Sequence, residues 1–313
     1  MNFDHPDIRR SILQEIHIKL LNKDGNRLFV KRDDLIHNII SGNKWRKIQL
    51  SLLKAKSEGK EGILTFGGAH SNHLIATAAA AQLNEVRSIG IVRGDELNRE
   101  SNETLQNCAT AGMELVFTSR VDYANRNERW YQEKLALAYP NFYIIPEGGA
   151  NYLGMIGCQQ ILGEVTERYD VVVVAQGTST TAVGLLLSLP NASQLWGVPV
   201  LKGYQGATEI KALLTNSGFA SDSTGEFLER YLELGNYHFG GYASYTNELL
   251  DLIEYFWTEF QLPLDPVYTA KAMFALLTEV KNKRISNTNF LFIHTGGLQG
   301  SKPIFMKEKR DIF

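Results

Sequence analysis

The chain reads as an α/β protein built from two open, twisted, mostly parallel sheets with helices on both faces. Three observations predict this. From Gly62 onward, short apolar runs alternate with longer amphipathic ones, the rhythm of strands joined by helical crossovers. The run Val171-Val172-Val173-Val174 lacks the alternation of a half-exposed strand, as a strand covered on both faces does. A length of 313 residues exceeds the usual size of a single core, so two domains are expected.

Taken in order, the first series places strands at 63–66, 88–92, 114–117 and 142–145, with helices at 71–83, 101–111 and 123–139. The second series begins near Gly154 with a helix at 154–168. A strand at 170–175, a helix at 181–189 and a strand at 194–201 follow. Beyond a less regular middle come helices at 247–260 and 266–283 and a strand at 290–294. Asp265-Pro266 reads as a helix start, which puts Tyr268 in a first turn. No internal repeat or low-complexity tract is present.

Composition narrows the function. A hydrophobic content of 44%, a charged content of 21% and a net charge of -2 describe an ordinary globular protein with no electrostatic case for nucleic acid or an anionic membrane. The seven histidines show no zinc-ligand spacing, so no metal is expected. Cys108 and Cys158 are too few for a disulfide framework and read as buried thiols. Residues 1–10 lack the apolar core of a signal peptide, and no apolar run approaches the roughly 20 residues of a membrane span. A cytoplasmic protein is expected.

Open parallel sheets bind ligands beyond the carboxyl ends of their strands, so the residues just after each strand matter most. Ser41-Gly42-Asn43-Lys44-Trp45-Arg46-Lys47 follows the charged tetrad Lys31-Arg32-Asp33-Asp34 and runs into a helical pattern. Lys44 thus sits near a helix N-terminus, where positive surroundings, Arg46 and Lys47 included, lower a lysine pKa and favour an amine nucleophile. A solvated basic first turn is the plainer alternative.

After the strand at 63–66 comes Gly67-Gly68-Ala69-His70-Ser71-Asn72-His73. Ser71 and Asn72 are good helix caps, but two glycines followed by four polar side chains also suit a ligand loop. Gln176-Gly177-Thr178-Ser179-Thr180-Thr181 opens another helix and is chemically a phosphate cradle, or else a Ser/Thr-rich cap. It lacks the signatures of nucleotide loops, so a small phosphate monoester fits best. Glu147-Gly148-Gly149-Ala150-Asn151 completes the rim. Thr295, after the last strand, would face a ligand, whereas His294 reads as a satisfied core histidine. A lysine amine, a phosphate cradle and converging hydroxyls share one economical explanation, pyridoxal 5'-phosphate.

Lys31-Arg32-Asp33-Asp34-Leu35, Gly42-Asn43-Lys44, Gly67-Gly68 with Ser71-Asn72-His73, Asp265-Pro266-Val267-Tyr268 and His294-Thr295-Gly296-Gly297 together resemble the 1-aminocyclopropane-1-carboxylate deaminase / D-cysteine desulfhydrase family over nearly the whole chain. The resemblance implies the fold of the tryptophan-synthase β-subunit group, with the cofactor in the cleft between a large domain (residues 1–49 and 151–313) and a smaller inserted one (50–150). It implies a homodimer. It also implies that Lys44 is the Schiff-base lysine, that Asn72 lies against the cofactor ring hydroxyl, and that Ser71 and His73 lie near the substrate carboxylate. Gly177, Thr178, Ser179, Thr180 and Thr181 would hold the phosphate, Tyr242 and Tyr268 would face the substrate, and Thr295 would meet the pyridine nitrogen. Lys44, Ser71, Tyr242 and Tyr268 are the catalytic candidates.

Within that family, cyclopropane-opening members typically carry glutamate where this chain has Thr269, leucine at Thr295 and glutamine at His73. All three positions here resemble D-cysteine desulfhydrases. A hydroxyl beside the ring nitrogen makes a weaker electron sink than a carboxylate does, sufficient when a good β-leaving group departs. Ser41 and Ser179 stand where the family has glycine, and Ala243-Ser244 replaces a commoner Gly-x-Pro. The expectation is α,β-elimination from a small D-amino acid, with D-cysteine first. Cyclopropane deamination, a D-serine-like deaminase and a pyridoxal-phosphate binder without turnover are the alternatives.

Overall fold

A computed structural model describes residues 4–313; the first three residues of the segment 1–10 considered above lie outside the described residues. In chain order the strands are β1 (Leu13–Ile16), β2 (Arg27–Lys31), β3 (Gly62–Gly67), β4 (Arg87–Arg93), β5 (Met113–Thr118), β6 (Phe142–Ile144), β7 (Val171–Gln176), β8 (Gln194–Pro199), β9 (Tyr231–Glu233) and β10 (Asn289–Ile293). They form a six-stranded sheet, ordered β1-β2-β10-β7-β8-β9, and a four-stranded sheet, ordered β5-β4-β3-β6. β1 is antiparallel to β2; every other pairing is parallel. The expected α/β class with two sheets is observed.

The larger sheet is covered on both faces, and its central strands show why they carry continuous apolar runs. Val171 and Val173 of β7 join one core with Phe290 and Phe292 of β10. Val172 and Val174 join the opposite core with Leu291 and Ile293. A period-2 strand between two helical layers must be apolar at every position. No helix of the described residues is long and apolar enough to cross a membrane, and Cys108 and Cys158 are both free and buried.

Several expected elements have different limits. The span 123–139 is two helices, Arg120–Ala124 and Arg129–Ala138, because the chain breaks at Asn125 and Arg126 turns to reach Glu147. The helix expected at 154–168 is Tyr152–Gly163; beyond its terminal glycine, Glu164 caps it and engages Arg46. The helix expected from 266 starts at Thr269. The Asp265 carboxylate accepts the N–H groups of Val267, Tyr268 and Thr269, so Tyr268 is the cap residue rather than part of a first turn. The strands β1 and β2 were not foreseen. The irregular middle holds the helices Gly206–Asn216 and Ser221–Glu229.

The helix Asn43–Ser57 runs across the place where residues 49 and 50 were expected to part the domains. It packs on the helix Tyr152–Gly163 with almost no clearance: a Cβ on Gly157 would stand 1.8 Å from the Arg46 carbonyl oxygen. That atom is backbone and cannot move without its helix. Gly157→Ala is therefore expected to cost about 3 kcal/mol of stability through forced separation of the two helices. Urea unfolding of the variant measures this, and an unchanged midpoint would contradict the close packing.

Candidate active site

The two sheets present their strand ends to one cleft of about 1160 Å³. Residues following the carboxyl ends of β3, β6, β7, β8 and β10 line it, with Arg93 at the end of β4. Crossover topology puts ligands there in open parallel sheets. Lys44, Ser71, Asn72 and His73 line this cleft, as do Gly177, Thr178, Ser179 and Thr181. Tyr242, Tyr268 and Thr295 complete the set. Thr180 does not line it; fully buried, it donates its hydroxyl to the Thr178 carbonyl at 3.3 Å.

Lys44 is the second residue of the helix Asn43–Ser57. Gly42 makes the entry turn at φ +63°, and a Cβ there would lie 1.9 Å from the Thr295 carbonyl oxygen. Only glycine permits both the conformation and the approach. The Asn43 N–H donates to that same carbonyl at 3.3 Å, which ties the lysine loop to the end of β10. Asn43 also donates from its side chain to Thr181 Oγ1 at 2.9 Å and accepts from Lys44 Nζ at 2.5 Å. Burial lowers the Lys44 pKa to about 7, with help from the Lys47 charge and against the pull of Asp265. Arg46 plays no part in this, contrary to expectation. It points away, fully buried, and its charge is matched by Asp33 at 2.9 Å and by Glu164.

The phosphate-cradle reading gains a cation that the sequence argument had not assigned. Lys47 is buried, forms no ion pair among the described residues, and its Nζ lies 3.4 Å from Thr178 Oγ1. One turn beyond Lys44, it shares that residue's helix face, and this i,i+3 spacing was the available signal. Ser179 adopts a left-handed φ of +49°, and its hydroxyl is held by Gln176 at 3.1 Å and Tyr204 at 2.8 Å. The helix Thr180–Ser188 begins here, so its first-turn N–H groups have no intrahelical acceptors. A buried unpaired ammonium beside hydroxyls and a helix N-terminus fits a phosphate.

At the other end, Thr295 is buried in the cleft wall, whereas Thr269 does not line the cleft. Thr269 is committed to Asp265: its hydroxyl donates to the carboxylate at 2.8 Å and accepts the Asp265 N–H at 2.7 Å. His294 is fully buried and satisfied, with the Pro263 carbonyl at 2.5 Å and the Gly296 N–H at 3.3 Å. The rings of Tyr242 and Tyr268 meet edge to face, 6.3 Å apart, and burial raises the pKa of both phenols, so both keep their protons.

Ser71 caps the helix Asn72–Leu83 by accepting the Leu74 N–H at 3.3 Å, and Asn72 donates to the Gly297 carbonyl at 3.4 Å. The tautomer of His73 follows from a proton count. Thr65 has one hydroxyl proton and gives it to the Ile145 carbonyl at 2.9 Å. Thr65 Oγ1 must therefore accept from His73 Nε2, also at 2.9 Å. Nδ1 is left as an unpartnered buried acceptor. Burial, with Lys47 and Lys44 nearby, pushes the His73 pKa down to about 3, so the ring carries no charge.

A family model described as "Pyridoxal-phosphate dependent enzyme" matches residues 13–296. A provisionally named 1-aminocyclopropane-1-carboxylate deaminase of Pyrococcus horikoshii is 32% identical, covering 88% of this chain and 86% of its own. A bifunctional D-cysteine desulfhydrase/1-aminocyclopropane-1-carboxylate deaminase of Arabidopsis thaliana, a mitochondrial protein, is 28% identical over 88% of this chain and 74% of its own. The solved structure of an ACC deaminase homologue superposes with a TM-score of 0.77 at 26% identity, covering 98% of this chain and 95% of that one. The lysine, the cradle and the unpaired ammonium beside it agree with that cofactor, and the chain belongs to the pyridoxal-phosphate dependent enzyme family.

Proposed function

We propose that this enzyme is a lyase that eliminates the β-substituent of a small D-amino acid, with D-cysteine and water yielding pyruvate, ammonia and sulfide. One observation supports the choice: Thr295 is part of the cleft wall, where the resemblance expects the ring nitrogen, while the Thr269 hydroxyl is committed to Asp265. A hydroxyl suits a neutral ring nitrogen and hence a reaction assisted by a good leaving group. Pyridoxal phosphate supplies the electron sink that stabilises negative charge at Cα. Lys44 would hold the cofactor through its Nζ and, as a neutral amine, would take the Cα proton. Ser71 and Asn72 orient the substrate, and Tyr268 and Tyr242 keep their protons for delivery to the departing sulfur. The cleft lies between the proposed domains, residues 1–49 with 151–313 and residues 50–150. A cytoplasmic homodimer belongs to the same proposal.

Cyclopropane deamination is the second reading, favoured by the names of the relatives. Offering both substrates separates the two. Wild type is expected to show the band of lysine-bound cofactor near about 410–420 nm and to release sulfide and pyruvate from D-cysteine. Lys44→Ala should lose both. Release of ammonia and 2-oxobutanoate from 1-aminocyclopropane-1-carboxylate, with no sulfide from D-cysteine, would decide for the second reading.

Two further outcomes follow from the lysines. Because the Lys44 pKa is lowered to about 7, its reactive neutral fraction grows as pH rises to 7 and is nearly complete above 8. The rate at which cofactor-free protein captures pyridoxal 5'-phosphate should therefore level off, where an ordinary lysine would keep accelerating towards its usual pKa of about 10.4. Stopped-flow absorbance against pH tests this. Lys47→Met should weaken pyridoxal 5'-phosphate binding by roughly tenfold to a hundredfold, the worth of a charged hydrogen bond, and leave pyridoxal binding nearly unchanged. Equilibrium dialysis of both ligands reads the difference.

A further inference from the structure

Lys271 is a buried charge to which the chemistry above gives no duty. It sits in the first turn of the helix Thr269–Lys283, is fully buried and forms no ion pair among the described residues. A cation buried near a helix N-terminus is unfavourable twice over, through lost hydration and through the helix dipole. Burial lowers the Lys271 pKa to about 8, which leaves the side chain an ammonium at neutral pH.

What the ammonium meets is backbone. Nζ donates to the Gly241 carbonyl at 2.7 Å and to the His238 carbonyl at 2.9 Å. The same two oxygens close successive turns: the His238 carbonyl accepts the Gly241 N–H at 3.0 Å, and the Gly241 carbonyl accepts the Ser244 N–H at 3.2 Å. Tyr242 is the second residue of the second turn. Beside it in these turns, Phe239 and Ala243 hold left-handed φ values of +54° and +57°, which cost free energy for any residue but glycine. Turns strained in this way keep one shape only where their surroundings fix it.

The segment lies along the helix. Tyr237 donates its hydroxyl to Glu279 at 2.6 Å, the Phe239 ring stands 5.1 Å from that of Phe274, and Lys271 makes the last tie before Tyr242. From 237 to 242 the chain thus follows the helix back to its start, where Tyr268 is the cap and its ring meets that of Tyr242 at 6.3 Å. One helix start carries both phenols, Tyr268 directly and Tyr242 through an ammonium. We infer that Lys271 is a positioning residue, which fixes the two turns that set the Tyr242 phenol against Tyr268 at the cleft and acts on the reaction only through Tyr242. This assignment rests on the lyase reading above, in which those phenols deliver the proton.

A double-mutant cycle tests it. Sulfide release from D-cysteine is followed for cofactor-loaded wild type, Lys271→Met, Tyr242→Phe and the double variant. Methionine fills the buried volume without a charge, so the urea midpoint is expected to hold or rise. Lys271→Met should nevertheless lower kcat by about ten- to a hundredfold, the effect of a misplaced group. In the Tyr242→Phe background the same change should cost less than about twofold. Amide exchange across residues 238–244 should quicken in Lys271→Met, while the cofactor band stays. Lys271→Gln, which keeps a donor without the charge, should recover part of kcat, and it carries the cycle if the methionine variant does not fold. An equal loss in both backgrounds, or no loss on the wild-type background, overturns the role of Lys271 and leaves the lyase standing. A wild type that holds the cofactor and releases no sulfide fails the lyase reading, and the assignment falls with it.

Discussion

Arg46 is fully buried and still charged, and the positions of the reactive groups depend on how that charge is met. Its guanidinium reaches Asp33 at 2.9 Å and Glu164, and Glu164 in turn pairs with Lys31 at 2.9 Å. Burial pushes the Glu164 carboxyl up, but the hydrogen bonds and charges of Arg46 and Lys31 outweigh it and hold it below the usual range. A buried ion cluster adds little net stability compared with a well-packed apolar one, yet breaking it strands a charge at a cost of about 3–5 kcal/mol. Such a cluster is a strict geometric constraint. It joins β2, the loop after β2, the helix Asn43–Ser57 and the end of the helix Tyr152–Gly163. With Arg46 held on one side of its helix, the rotation of that helix is set, and Lys44 and Lys47 face the cleft on the other.

That arrangement leaves the cleft with uncompensated positive charge. Lys44, Lys47 and Arg93 form no ion pairs among the described residues, and Lys47 and Lys44 are drawn from water enough to lower both pKa values. In the proposed function the compensating anions belong to the cofactor and the substrate. Stability and binding are thereby coupled: a phosphate beside Lys47 would offset the cost of burying that ammonium, and binding to the native state alone stabilises it.

The residues after the strands were legible in the sequence because glycines and small hydroxyls at a strand-to-helix turn have few other uses. Lys44, Ser71, Asn72, Thr178 and Thr295 converge on the cleft for that reason. What stayed hidden depended on tertiary pairing. β1 and β2 are four and five residues long, and β2 ends in a buried lysine whose ammonium is met by Glu164 and by the Ser11 carbonyl. Arg46 looked like one more positive neighbour of Lys44, since nothing local shows that Asp33 and Glu164 claim it. The break at Asn125 follows from the attachment of Arg126 to Glu147, a contact 21 residues away.

The Gly42–Thr295 contact has a mechanical meaning. The lysine loop and the end of β10 are joined backbone to backbone, so the groups proposed for the two ends of the cofactor ring belong to one rigid edge. Gly68, Ser71 and Asn72 come instead from the end of β3, and among the described residues one long hydrogen bond, Asn72 to Gly297, ties that loop to the residues after β10. The two edges nevertheless meet in one core, where Ile48 and Leu52 of the lysine helix pack with Ala76 and Ala79 of the helix that follows Ser71, so a displacement of that loop is transmitted to the lysine anchor.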